Sequence, residues 1–248
     1  MTPSLRSAIL WPALIGAGLL LLNGCGPSKF AIERSPDLEK YQIKTIAVVP
    51  FDAIDTPQVA ESRNPEFFVP GGAKRSDISL GKPDVTPKLE YPTMGVPSHA
   101  PEKITRMVYG RLQNWKGISV VPLDDAANAM KAVGLQKELP VGLLAPKLAA
   151  ILKVDAILFG KVLVYQERKG NKFGGEPAAV GFELKLVAAD GRTLWAGNYY
   201  EQQRPMNEDA VGFVQRGGVF VTAEELAEYG VQHLLQEFPY GEPVSKPG

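Results

Sequence analysis

The sequence predicts an α/β domain, a three-layer sandwich around a mixed sheet, and three features predict it. Residues 45–51 (Thr-Ile-Ala-Val-Val-Pro-Phe) form a continuous apolar run of strand length between Lys44 and Asp52, the pattern of an interior strand covered on both faces. Residues 180–199 are two apolar segments around Asp190-Gly191, a hairpin signal. Four further segments carry apolar residues at helical spacing. Together they give the order β-α-β-α-α-β-β-β-α, with a long proline-rich insertion after the first strand.

After that first strand, residues 52–101 hold eight prolines and four glycines and show neither helical nor strand period. A loop this long inside a compact domain is normally functional or disordered. Its large apolar groups, Phe67, Phe68, Val69 and Tyr91, are candidate interface anchors for a partner or a second copy. Pro101 and Glu102 then open a helix with Ile104, Met107, Val108, Leu112 and Trp115 on one stripe and Gly117 as its stop. Residues 118–121 read as a short buried strand. Asp124 is the expected N-cap of a helix ending at Val133 and Gly134, and a further helix is expected over 144–152 with Pro146 in its first turn.

Residues 156–165 form a long strand in which Gly160 marks a bulge or bend. A polar loop, 168–177, separates it from the hairpin. With Asp190-Gly191 as a two-residue turn, Leu186 faces Trp195, Leu184 faces Gly197 and Phe182 faces Tyr199. The large groups then share one face, which a one-residue slip would destroy. Thr222 and Glu225 make a capping box for a last helix with Leu226, Val231, Leu234, Leu235 and Phe238 on one stripe, ending at Pro239.

At the other end of the chain, Arg6 is the only charged side chain before an apolar run over residues 8–22. Fifteen residues suit a secretory h-region, whereas a spanning helix needs about 20. The run ends in Leu22-Asn23-Gly24-Cys25, and Cys25 is the only cysteine of the 248 residues. This ending resembles the lipobox of bacterial lipoproteins. The resemblance implies cleavage before Cys25, acylation of Cys25, and, with Gly26 next, sorting to the periplasmic face of the outer membrane. The expected organisation is a signal peptide (1–24), a lipidated tether (25–43), one α/β domain (44–239, with its insertion at 52–101) and a polar tail (240–248).

With 27 basic and 27 acidic residues the chain has no basic field for nucleic acid. Partners are expected to be the membrane, through the lipid anchor, and a second copy or another envelope protein. No cofactor or metal is expected: there is no Walker loop and no Gly-x-Ser-x-Gly elbow, and His99 and His233 stand alone. Asp52, Asp55, Asp124 and Asp125 follow strands, where open α/β sheets bind ligands, but loop starts and helix caps explain them more simply. Asp155 reads as a turn or cap before its strand. Trp195 and Tyr199 read as core of the hairpin rather than a stacking platform.

The strand ending Val-Val-Pro-Phe, the segment Lys153-Val154-Asp155-Ala156-Ile157-Leu158-Phe159-Gly160 and the hairpin over 186–195 resemble the curli-secretion lipoprotein (CsgG-like) superfamily. That group is similar in fold to the N-terminal domain of TolB and to lipoprotein activators of penicillin-binding proteins. The resemblance implies an α/β sandwich and says little about activity; the anchor, that fold and the missing catalytic site together lead us to expect a non-catalytic assembly role in the envelope. A curli-type secretion channel is the first alternative, and a ligand-binding or hydrolytic protein using the strand-end aspartates is the second.

Overall fold

In the computed structural model the described residues are 29–54, 58–59, 93–133, 139–171, 174–203 and 221–244. The strands are β1 (Phe30–Arg34), β2 (Thr45–Val48), β3 (Asp52–Ala53), β4 (Gln58–Val59), β5 (Thr93–Met94), β6 (Ser119–Val120), β7 (Ala156–Gln166), β8 (Lys169–Asn171), β9 (Gly174–Glu176), β10 (Ala179–Ala188) and β11 (Thr193–Gln202). The helices are α1 (Ala100–Leu112), α2 (Leu123–Val133), α3 (Val141–Leu152) and α4 (Ala223–Gln236). Seven strands form one mixed sheet in the order β1-β11-β10-β7-β2-β6, with β3 paired to β7 beyond the end of β2. β2 runs parallel to β6 and β7, whereas β7, β10, β11 and β1 are mutually antiparallel neighbours.

Strand alternation sorts the core into two layers. Ile46, Val48, Leu158 and Leu186 point to the side covered by Ile104, Val108 and Leu112 of α1 and by Leu226, Val231 and Leu234 of α4. Ala47, Val49, Ile157, Phe159 and Val187 point to the other side, against Ala126 and Ala129 of α2 and Leu144 and Leu148 of α3. The continuous apolar character of residues 46–49 and 156–159 follows from burial on both faces.

Several elements depart from the sequence reading. Residues 30–34, expected to be tether, are a strand of the sheet: every residue of β1 is paired with β11, from Phe30 opposite Tyr199 to Arg34 opposite Trp195. The element order therefore begins one strand earlier than expected. The insertion carries a short ladder near its two ends, Gln58 and Val59 pairing with Met94 and Thr93. The expected polar loop after β7 contains the β8–β9 ladder. Pro146 lies inside α3 rather than in its first turn, because the helix starts three residues earlier than expected.

The hairpin pairs hold, through a different turn. Leu186 faces Trp195, Leu184 faces Gly197 and Phe182 faces Tyr199. The loop, however, has three residues, 189–191: Ala188 N–H donates to Arg192 O at 2.9 Å, Gly191 N–H donates to Ala188 O at 2.9 Å, and Gly191 takes a φ of 92°. A three-residue loop alone would shift the register by one. An extra residue in β11, Leu194, sits between the Val187–Thr193 and Leu186–Trp195 pairs and restores it. Leu194 and Trp195 consequently both enter the same core layer.

Gly160 is not the bulge of β7. The register breaks three residues later, where Leu163 is left over between the Phe182–Val162 and Gly181–Val164 pairs. Gly160 instead makes room for a ring: a Cβ there would lie 2.5 Å from Phe51.

Candidate interaction face

Cys25, Asp55, Phe67, Phe68, Val69 and Tyr91 lie outside the described residues. The other aspartates have local work. Asp52 is exposed on β3. Asp124 and Asp125 sit within the first turn of α2 rather than at its N-cap, favourably placed at the positive end of the helix dipole. Asp155 ties the starts of β2 and β7 together, its Oδ2 accepting from Lys44 N, Thr45 N and Thr45 Oγ1, each at 2.9 Å. Burial pushes this carboxyl up, but those hydrogen bonds and the Lys44 charge outweigh burial, so it titrates below the ordinary carboxylate range. The structure brings none of these carboxylates to a common site among the described residues, nor any group of three metal-ligating side chains.

The C-terminal end of β7 carries a second polar group. Tyr165 is buried beside His99, ring centroids 5.9 Å apart, and burial followed by the charge of Glu167 raises its pKa while Lys103 opposes them. Lys103 Nζ donates to Glu224 Oε2 at 2.8 Å, which raises the lysine pKa against burial. The start of α4 is closed on itself: Thr222 Oγ1 accepts from Glu225 N, Glu225 Oε2 accepts from Thr222 N, and Glu167 takes Ala223 N–H. With the helix start capped by its own acids, this end offers no ready anion site, and no nucleophile–base pair forms there among the described residues.

A more distinctive surface lies along β1. Alternation puts Phe30, Ile32 and Arg34 on the α4 side, and Tyr229, His233 and Glu237 recur every fourth residue on α4 and its C-cap, so the two rows meet. Phe30 stacks on Tyr199 at 5.1 Å and on His233 at 5.4 Å, and approaches Tyr229 at 6.0 Å. Tyr229 and His233 rings are 3.9 Å apart, and His233 Nδ1 reaches Tyr229 O at 2.9 Å. At the far end Arg34 Nη2 donates to Glu237 Oε2 at 2.7 Å and to Glu237 O at 3.1 Å.

Below the aromatic row the buried carboxylate of Glu201 is satisfied from two sides. Lys29 Nζ donates to Oε1 at 3.0 Å and Tyr199 Oη to Oε2 at 3.0 Å. On the reverse side of the same corner Tyr200 lies over Gly181 and is 52% exposed, while Tyr229 is 41% exposed. The corner formed by Lys29, Phe30, Tyr200 and Tyr229 is thus aromatic, partly wet and built on a sheet edge. Sequence reading passed over it. The alternation of Phe30 and Ile32 and the Tyr229/His233 spacing are its signals, and five residues next to a Ser-Pro pair were too short to register.

No family model matches the chain, and no curated protein matches it. Among solved structures it is similar to the lipoprotein GNA1162 of Neisseria meningitidis, with 16% identity, 70% of this chain and 94% of that chain covered, and a TM-score of 0.38. The C-terminal domain of LpoB from Salmonella enterica is similar at 13% identity, 68% and 94% coverage and a TM-score of 0.34. The protein CT253 of Chlamydia trachomatis is similar at 7% identity, 79% and 95% coverage and a TM-score of 0.40. At these scores the likenesses carry no weight for function.

Proposed function

We propose that the mature protein is a lipid-anchored component of the bacterial cell envelope, held by Cys25 on the periplasmic face of the outer membrane, where it acts as a non-catalytic interaction or assembly module. The observation that carries this reading is the position of the single cysteine, directly after a 15-residue apolar run at Leu22-Asn23-Gly24-Cys25. Several acyl chains at about 0.8 kcal/mol per buried methylene anchor a protein stably, where a single chain binds reversibly. Among the described residues no helix is long and apolar enough to cross a membrane, so this reading places the weight of attachment on Cys25. The module role is supported by the aromatic β1–α4 edge and by Phe67, Phe68, Val69 and Tyr91 of the insertion.

Cys25→Ala tests it. Metabolic labelling with palmitate should be lost, and the protein should accumulate unprocessed or appear in the soluble fraction. Retention of Cys25→Ala with the outer membrane after a high-salt wash would show that something else holds the chain.

A further inference from the structure

We propose that the corner formed by Lys29, Phe30, Tyr200 and Tyr229 rests on the bilayer to which Cys25 is attached, its tyrosines at the lipid headgroup level; this rests on the anchor reading above. The decisive relation is between covalent reach and strand order. Lys29 bonds into the sheet, its O accepting from Tyr200 N at 3.0 Å and its Nζ pairing with Glu201. Four peptide steps separate Lys29 from Cys25, and whatever their conformation they span at most about 14 Å. A lipidated Cys25 therefore holds this corner within about 14 Å of the acyl boundary, with no long spacer to let the domain turn away.

The opposite end of the sheet has no such constraint. Eight residue steps along β11 lead from Arg192, beside the 189–191 loop, to Tyr200, about 27 Å at the rise of an antiparallel strand. Leu143, 59% exposed at the start of α3, lies at that far end, since its neighbour Gly142 touches Gly191.

The surface chemistry fits the headgroup zone. Tyrosine favours membrane–water interfaces because its ring is apolar and its hydroxyl wet, and Tyr200 and Tyr229 are both exposed tyrosines on opposite sides of one strand edge. Lys29, its ammonium paired with Glu201 but its side chain 44% exposed, lends a long apolar stem at the same corner. The edge strand is blunted against pairing with another sheet by Glu33 and Arg34 at its far end, which leaves the aromatic start of β1 as the apolar part.

The test uses the full lipidated protein in vesicles of phosphatidylethanolamine and phosphatidylglycerol doped with a headgroup-nitroxide lipid. Ile151, 50% exposed in the last turn of α3, is a second far-end position, since Asp155 O just after that helix accepts from Ala189 N. Single variants Tyr229→Cys, Tyr200→Cys, Leu143→Cys and Ile151→Cys carry a fluorophore, the Cys25 thiol being blocked by its thioether. Ala31→Cys, exposed on β1 beside Phe30, reads the same corner without removing a ring of the aromatic cluster and serves if Tyr229→Cys fails to fold. Quenching at residues 229, 200 and 31 should exceed that at 143 and 151 by at least about twofold. Protein that co-sediments with vesicles but is quenched equally at all sites overturns the proposed orientation and leaves the anchor intact. Protection of the corner with doubled mass and no quenching would assign it to a second copy instead. Failure to co-sediment removes the anchor and this inference together.

Discussion

The ring of Phe30 stacks on that of Tyr199 with centroids 5.1 Å apart and planes inclined by 26°. That contact joins the first described strand to one 169 positions later and converts what would be a tether into an edge of the sheet. Tyr199 in turn fills the space above Gly230 of α4, where no side chain intervenes, and donates to Glu201. Strand, helix and buried carboxylate thus meet on one ring.

Removing Phe30 should loosen this junction. The side chain is half-buried, so Phe30→Ala should cost about 2 kcal/mol, less than a full core truncation, by urea unfolding. Amides of β1 should exchange faster in the variant. Unchanged stability and exchange would return residues 30–34 to the role of a tether.

The hairpin register makes a paired prediction. Trp195, 1% exposed between Phe238 and Gly197, should cost about 3 to 5 kcal/mol when replaced by alanine. Lys185 faces the other side, half-buried and paired with Glu183 at 3.0 Å, and its replacement should cost under about 1 kcal/mol. Chemical denaturation of both variants decides it, and equal losses would contradict the two-face assignment.

Gly230→Ala sets two effects against each other. In a helix interior the change gains about 1 kcal/mol of propensity. The added Cβ would collide with the Tyr199 ring, and forced repacking of a tight core costs about 1 to 3 kcal/mol. Net destabilisation is expected, with a lowered melting temperature. A stabilised variant would mean that the ring moves freely.

Asp155→Asn should change the pH dependence of stability. The folded carboxyl titrates below its unfolded value of about 3.9, so its stabilisation is complete above that value and is lost as pH falls through the folded one. At pH 7 the variant should lose about 2 kcal/mol, the worth of hydrogen bonds to a charged acceptor. The gap to the parent protein should close as pH falls below about 4. A gap that is constant with pH would assign the loss to packing alone.

The insertion is expected to serve association. Its base is closed by Gln58–Val59 pairing with Thr93–Met94, so replacing residues 60–92 with a short Gly/Ser turn preserves the ladder and changes loop-closure entropy by only about a kilocalorie. Thermal unfolding should shift little, while crosslinked or co-purified complexes that depend on Phe67, Phe68, Val69 and Tyr91 should diminish. Loss of folding would make the segment structural, and unchanged complexes would end its claim to an interface.

Local rules acting within one element were legible in the chain. The two-faced burial of residues 46–49, the capping box of Thr222 and Glu225 and the facing pairs of β10 and β11 follow from periodicity and cap chemistry, which neighbours in sequence suffice to express. What tertiary structure decided are contacts whose partners are far apart in sequence. Phe30 became strand because β11 offered an open edge and α4 a row of rings. Gly160 and Gly230 are glycines because distant rings, Phe51 and Tyr199, occupy the space above them. Asp155 is held by Lys44 and Thr45, 111 and 110 residues away. Single-residue features such as a glycine or an aspartate carry no record of which remote group they meet, because many folds satisfy the same local pattern and only packing selects among them.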